Sequence, residues 1–170
     1  MGGGYRRLKS VRFPIGAILG ALALAACSTS ATEEAPPQET AARTHAESGL
    51  ELIDVTIDTG EGKHVFTTEV AGSSQEQAKG LMFRSELGAD QAMIFPTEQP
   101  QERSFWMKNT LIPLDLLFIG ADKRIVNIAA MAEPYSLDPI PSDGPVIAVL
   151  EIAGGRAAEL KIEPGDTVSW

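Results

Sequence analysis

Short apolar runs, several of them alternating with polar residues, recur along the chain from about residue 50. Each run is rich in β-branched or aromatic side chains and is bounded by turn residues, a pattern that predicts strands. The runs are LELIDVTID (50–58), HVFTTEVA (64–71), AMIFP (92–96), SFWMKN (104–109), LDLLFIG (114–120), RIVNIAAM (124–131), VIAVLEIA (146–153) and DTVSW (166–170). Because no long helical pattern separates them, they predict antiparallel pairing. The expected fold is mostly β (α+β), a compact antiparallel sheet or small barrel-like domain.

Two short helices are predicted between these strands. SSQEQAKGLMF (73–83) has Ser73 or Ser74 as its N-cap and Gly80 as its stop. GGRAAELKI (154–162) is shorter and is closed by the turn at Pro164-Gly165.

The pattern before residue 50 is different. Four basic residues precede the apolar run Phe13–Ala26, which at 14 residues is shorter than the about 20 that a membrane-spanning helix needs. A basic start, a short apolar stretch and small residues before a cleavage point predict a signal peptide over 1–26. The sequence LAAC (24–27) resembles the bacterial lipobox, which implies that Cys27 is lipidated and becomes the mature N-terminus.

Residues 28–49 contain no large apolar side chain and include a Pro-Pro pair. Such a segment cannot bury enough surface to offset its ordering entropy, so residues 27–49 are predicted to be a lipidated Cys and a disordered tether. His45 is expected to be solvated within it. The globular domain is then predicted to span 50–170, one domain's worth of chain.

The net charge of the chain indicates which classes of partner to expect. The full chain carries 14 basic and 23 acidic residues, a net charge of −9. Removing the leader's four basic residues leaves 10 against 23, a net charge of −13. Since nucleic acids and anionic lipids both favour basic surfaces, neither is expected as a partner, and membrane contact is expected through the acyl anchor alone.

Several motifs are similar to those of a known family. GLMFR (80–84), AMIFP (92–96), FWMKNTLIPLDLLFI (105–119), VLE (149–151) and PGD (164–166) occur in the order seen in the bacterial and archaeal family called domain of unknown function 192. The resemblance covers nearly all of 64–170. It implies a compact, mostly-β domain, often exported or lipid-anchored, and it implies no particular activity.

Catalytic residues are scarce. The only Cys is committed to lipid and the only His within 50–170 is His64, so Cys/His and Ser/His/Asp arrangements are not indicated. No P-loop, GxGxxG or HExxH motif occurs, and no cofactor is expected. Met82, Met93, Met107 and Met131 could bind Cu(I). Core packing is the better interpretation of them, because close Met repeats are missing.

The polar residues inside FWMKNTLIPLD are the main candidates for a site. Lys108 and Asn109 follow Trp106, and Asp115 begins the next strand. A Lys among aromatic residues needs an acid nearby, and Glu151 sits in an apolar strand where it needs a partner too. The predicted ligand-binding residues are Arg84, Trp106, Lys108, Asn109, Asp115, Glu133 and Glu151. A structural ion pair that fixes strand register is the alternative interpretation of the same residues.

Together these patterns predict a monomeric, lipid-anchored domain outside the cytoplasm, facing the periplasm from the outer membrane where the source has one. Its expected role is a non-enzymatic binding or accessory module of the cell envelope, with a small polar or carbohydrate ligand. The rival hypothesis is an enzyme that acts on an envelope polymer or sugar. A pocket that holds an unpaired acid with a raised pKa would favour the enzyme.

Overall fold

The structure, a computed structural model, describes Met1 and residues 43–170. The predicted signal peptide (1–26), the lipidated Cys27 and residues 28–42 of the predicted tether lie outside the described residues. Within the described part of the chain, no helix is long and apolar enough to cross a membrane.

The described residues are mostly strand, with two short helices, as the sequence predicts. The elements are β1 (Arg43–Thr44), β2 (Glu51–Asp58), β3 (Lys63–Val70), α1 (Ser74–Lys79), β4 (Gln91–Gln101), β5 (Ser104–Phe105), β6 (Leu114–Ile119), β7 (Ile125–Ala132), β8 (Ile140–Pro141), β9 (Val146–Ala153), α2 (Arg156–Glu159) and β10 (Thr167–Ser169).

Helix α1 begins and ends where its sequence predicts. The Ser73 hydroxyl accepts a hydrogen bond from the Glu76 backbone N–H, and the Glu76 carboxylate accepts one from the Ser73 N–H. This reciprocal capping box satisfies two N–H groups that the first turn leaves without helical partners. Gly80 ends the helix with a φ of 45°, a conformation that glycine adopts more readily than other residues.

The main sheet is mixed, which corrects the expectation of purely antiparallel pairing. Its strand order is β1-β2-β3-β4-β9-β6-β7, and β10 also pairs with β2. Strands β3 and β4 are parallel, whereas the other neighbours are antiparallel. The connection from Val70 to Gln91 contains α1 and supplies the crossover that a parallel pair requires.

Strand β10 links the two ends of this sheet. It pairs with β2 through residues such as Val168, opposite Ile57, and an isolated bridge joins Thr167 to Arg124 just before β7. The backbone N–H of Ile125 also donates to Asp166 O at 3.0 Å. The sheet therefore curls toward a barrel, with β10 between β2 and the start of β7.

The two faces of the sheet carry separate hydrophobic cores. Alternate residues of the central strand β9 point to opposite faces, so Leu150 packs in one core and Val149 in the other. Glu151 falls on the second face, beside Met93 of β4 and Leu116 of β6. Met93 and Met107 are buried in this second core, in line with the core-packing interpretation of those two residues.

Residues 43–49, which precede the predicted boundary at residue 50, are part of the folded domain. Strand β1 pairs with β2, with Arg43 opposite Leu52, so residues 43–49 do not belong to a disordered tether. Ser48 donates a hydrogen bond to the buried carboxylate of Glu69. His45 Nδ1 lies 3.7 Å from the same carboxylate, so the expectation of a solvated linker His is wrong as well.

The predicted strand 104–109 is shorter in the structure. Only Ser104 and Phe105 are strand, and they pair with Pro141 and Ile140 of β8 in a second, two-stranded sheet. The Thr110 N–H then donates to Met107 O at 3.1 Å, which makes Lys108 and Asn109 the central residues of a turn.

Candidate functional site

Glu151 occupies an unusual position for an acid. It lies in the middle of the sheet on β9, opposite apolar residues on both neighbouring strands, and is only 5% exposed. Burial raises the pKa of its carboxyl group from 4.5 to about 8, because an apolar environment disfavours the charged form. At pH 7 Glu151 is therefore mainly protonated and can donate a hydrogen bond as well as accept one.

The Glu151 carboxyl group opens onto a cleft of about 180 Å³. In the described part of the chain, this carboxyl group forms no hydrogen bond or ion pair. Every fully buried side-chain oxygen or nitrogen in that part does have a hydrogen-bond partner. Among the described residues, the Glu151 carboxyl group thus has no protein partner, and Glu151 lines the cleft. We call this cavity the Glu151 cleft; its walls include Met82, Phe95, Phe105, Trp106 and Thr110, and its cations are Lys79, Arg103 and Lys108.

Trp106 and Lys108 form one side of the mouth. Trp106 is 52% exposed, and the Lys108 ammonium lies 5.2 Å from its ring centroid, within the range of a cation–π interaction. Lys108 itself is exposed and forms no ion pair in the described structure, so the predicted ion pair with Glu151 or Asp115 is wrong. The structure therefore does not support the interpretation of these residues as a structural ion pair. Trp106, Lys108 and Glu151 do line one cleft.

Arg103 and Lys79 complete the cationic rim, and the sequence analysis missed both. The Arg103 guanidinium lies 5.2 Å from the Phe105 ring centroid and donates to Gln77 Oε1 at 3.2 Å. Partial burial lowers the pKa of Arg103, but a guanidinium remains charged at neutral pH. Lys79 is the last residue of α1 and is exposed. Neither lies within an apolar run, so the rule that singled out Glu151 could not identify them.

A second buried acid lies in the same row of the sheet. Glu69 of β3 is opposite Met93, which is in turn opposite Glu151, so the Cα atoms of the two acids are about 10 Å apart across two strand spacings. Arg84 donates to Glu69 Oε2 at 2.7 Å, and both side chains are largely buried. Glu69 does not line the Glu151 cleft. The sequence HVFTTEVA carries the same signal as VIAVLEIA, an acid in an apolar strand, and could have identified it.

Arg84 therefore has a different place from the one predicted. Its side chain is bound to Glu69 and lines a separate cavity of about 230 Å³ that meets the Glu151 cleft only at Lys79 and Gly80. The prediction that Arg84 approaches Lys108 is wrong for the side chain, although the neighbouring Phe83 N–H donates to Asn109 O at 2.9 Å.

Asp115 is held entirely by backbone groups. Its Oδ1 accepts from the N–H groups of Met131 at 2.8 Å and Gly155 at 2.9 Å, and its Oδ2 accepts from Ala157 N–H at 2.8 Å. The carboxylate is fully buried and does not line the cleft. Asp115 thus joins β6 to β7 and to the start of α2, a structural role that differs from the predicted ligand contact.

Asn109 and Glu133 are the remaining predicted residues, and neither lines the Glu151 cleft. Asn109 has a φ of 56°, and its amide contacts Met82 Sδ at 3.8 Å. This left-handed conformation, which Asn tolerates better than most residues, lets the chain turn at the cleft mouth. Glu133 is exposed in the loop after β7.

Exposed apolar side chains surround the turn at Lys108–Asn109. Phe83 and Tyr135 are both largely exposed and have φ values of 65° and 64°. The Phe83 N–H donates to Asn109 O, and the Tyr135 N–H donates to Thr110 O at 3.1 Å. Since bulky residues rarely adopt this conformation without a compensating reason, the strained backbone here supports a functional surface beside the cleft.

A larger depression of about 430 Å³ adjoins the cleft and shares Gln77 and Arg103 with it. It is lined mainly by residues 96–101 at the end of β4 and contains no buried titratable group. We therefore treat it as space next to the Glu151 cleft. Among the described residues, no group of three or more His, Cys, Asp or Glu side chains is arranged to hold a metal ion.

Comparisons with known proteins agree with this fold. The family model of domain of unknown function 192, described as uncharacterized ACR, matches residues 55–170. A protein of unknown function from Novosphingobium aromaticivorans DSM 12444 is 53% identical over 78% of this chain and 94% of its own, with a TM-score of 0.75. A protein from Sinorhizobium meliloti 1021, named as a candidate transcription regulator, is 36% identical over 71% of this chain and 94% of its own, with a TM-score of 0.69. No curated protein matches the chain.

Proposed function

Because the chain belongs to the family called domain of unknown function 192, whose activity is open, we propose a function from the cleft itself: the domain is a binding module for one small polar molecule, such as a sugar unit. The observation that carries this proposal is the buried Glu151, with its raised pKa, in the lining of a cleft that also contains Phe95, Phe105 and Trp106. Polar groups that converge beside apolar side chains are typical of small-molecule sites. The cleft volume of about 180 Å³ is below the roughly 300–1,000 Å³ of typical ligand pockets, so it suits a small ligand.

Binding can be tested by isothermal titration of the purified full-length chain with D-glucose, N-acetylglucosamine and D-glucuronate. Replacing Trp106 by Ala should weaken the binding of any sugar that binds by about tenfold, since one stacking wall is worth about 1–1.5 kcal/mol. Trp170→Ala is the matched control, because Trp170 is also exposed but packs against Lys123, which does not line the cleft. Equal losses in both variants, or binding that is insensitive to Trp106, would contradict the assignment of the cleft.

An enzyme is the second candidate, and Glu151 is the observation that favours it. A carboxyl group with a pKa near 8 in a cleft has the protonation state that a general acid needs. Hydrolysis of a glycosidic bond by the usual route requires a second carboxylate on the same cleft. Glu69 is the only other buried acid on this face in the described structure. Its carboxylate is already bound by Arg84 and Ser48. Binding without turnover is therefore the better supported function.

The name of the Sinorhizobium relative points to transcription instead. A DNA-binding surface needs clustered basic residues, and this chain has a net charge of −9. We therefore propose no nucleic-acid partner for this chain.

We further propose that the module is exported and anchored through lipid on Cys27. The support is the leader 1–26, which ends in a lipobox-like LAAC. Replacing Cys27 by Ser should move the protein out of the membrane fraction or leave it as an uncleaved precursor. Metabolic labelling with a palmitate analogue measures this directly, and a native protein that takes up no label would overturn the anchor.

A further inference from the structure

The Glu151 cleft combines three cations with no permanent negative charge. Lys79, Arg103 and Lys108 come from the end of α1 and from the segment around β5, and all three line the same 180 Å³ space. The strands beneath contribute apolar side chains, including Phe95 from β4. In the same row of the sheet, Glu69 is paired with Arg84, so these two opposite charges neutralise each other.

This local balance is opposite to that of the whole protein. The chain is acidic, with a net charge of −9, so most of its surface repels anions. A small cleft with cations on a low-dielectric wall concentrates the positive potential and attracts anions to this point. An uncharged ligand could accept hydrogen bonds from these groups but would gain none of the charge attraction.

We infer that the ligand carries an oxyanion, either a carboxylate or a phosphate group, an inference that rests on the proposed binding function. Lys108 and Arg103 hold this group, and Glu151 donates a hydrogen bond to it. An O–H···O⁻ bond from a neutral acid to an anion is short and strong. The same acid in its ionised form would repel the anion. Binding therefore requires the protonated form of Glu151.

The pKa of about 8 sets the expected pH dependence. Below pH 8 the acid is neutral and the cleft carries the charge of its three cations. As the pH rises through about 8, Glu151 ionises, the hydrogen-bond donor is lost and anion affinity falls. The bound anion in turn raises the pKa of Glu151 further, because it favours the protonated form.

The experiment is an NMR titration of the purified full-length chain with three probes, D-glucuronate, inorganic phosphate and D-glucose, at pH 6, 7 and 9. We expect glucuronate or phosphate to shift the amides of residues 103–110, with an affinity about tenfold weaker at pH 9 than at pH 7 and reduced by added salt. Glucuronate alone would identify a carboxylate ligand, and phosphate alone a phosphorylated one. Equal affinity for glucose and glucuronate would overturn the inference but keep the proposed function. No response to any probe would overturn both.

Variants separate the cleft from general charge. Lys108→Gln should lower anion affinity by about tenfold, since a hydrogen bond to a charged group is worth about 1.5 kcal/mol or more. Lys63→Gln is the matched control, because Lys63 is an exposed lysine on β3 that does not line the cleft. Glu151→Gln replaces the titrating acid by an amide, so the affinity of this variant should lose its dependence on pH between pH 7 and 9. An unchanged pH profile in Glu151→Gln, or equal effects of the two lysine variants, would overturn the inference.

Discussion

Replacing Asp115 by Ala is expected to remove about 4–5 kcal/mol from the free energy of unfolding. The carboxylate accepts hydrogen bonds from three backbone N–H groups, those of Met131, Gly155 and Ala157. Alanine leaves these donors without partners in a buried region, and each such loss costs about 1–3 kcal/mol. Since a domain of this size is stable by about 5–15 kcal/mol, the variant should lose between about a quarter and nearly all of its stability. Urea denaturation followed by circular dichroism measures the loss.

Two variants make this test specific. Asp115→Asn keeps one oxygen, which can still accept from Met131 and Gly155, so its loss should be about half that of alanine. Asp138→Ala is the matched control, because Asp138 is exposed, and it should change stability by less than about 0.5 kcal/mol. A stable Asp115→Ala protein would show that the three backbone contacts are not essential to the fold.

Replacing Glu151 by Gln is expected to stabilise the protein by about 3 kcal/mol at pH 7. The folded-state pKa of about 8 exceeds the ordinary value of 4.5, so the folded protein binds the proton more tightly than the unfolded chain. Between pH 4.5 and pH 8 stability then falls by about 1.4 kcal/mol for each pH unit. Glutamine mimics the neutral acid and does not suffer this loss. Urea unfolding of both proteins at pH 5, 7 and 9 measures it.

The pH dependence distinguishes this cause from a general effect of the substitution. The stability difference between Glu151→Gln and the native protein should be small at pH 5, grow to pH 8 and then level off. Glu133→Gln makes the same chemical change at an exposed position and should show no such trend. Parallel stability curves for Glu151→Gln and the native protein would show that Glu151 does not titrate as its burial implies.

These two residues also show how far sequence reasoning reaches for the site. Asp115 is predicted as an acid partner of Lys108 because it begins the following strand, and Glu151 is predicted because it lies in an apolar strand. The structure gives Asp115 three backbone donors and leaves Glu151 facing a cleft. A sequence pattern shows that a buried acid needs compensation, but it does not show whether backbone groups from distant segments provide it.

The strands could be predicted because a strand buried on one face alternates apolar and polar residues, and a strand buried on both faces is an apolar run. Strand β9 is predicted over 146–153 and occurs as Val146–Ala153. Strands β1 and β8 have two residues each, too few for any periodicity. The parallel pairing of β3 with β4 was missed because α1 is short, whereas the expected crossover helix is long.

The turn at Lys108–Asn109 was missed for a related reason. Met107 is buried and Trp106 is exposed, an alternation that a strand would also produce. The polar pair that follows suits either a strand or a turn, and only the left-handed φ of Asn109 separates the two. The composition of the cleft could therefore be predicted in part, but its geometry could not.

The edges of the main sheet affect how readily copies of the protein associate through their strands. Strands β1 and β10 both pair with the side of β2 that faces away from β3, and so cover its backbone groups at both ends. At the opposite end of the sheet, the edge strand β7 is interrupted by the left-handed residue Met131 and by shifts of register against β6. Edges that are covered or distorted in this way resist strand-to-strand aggregation. If the proposed lipid anchor holds the protein at a membrane surface, copies would meet often, and these edges would let them stay dispersed at high surface density.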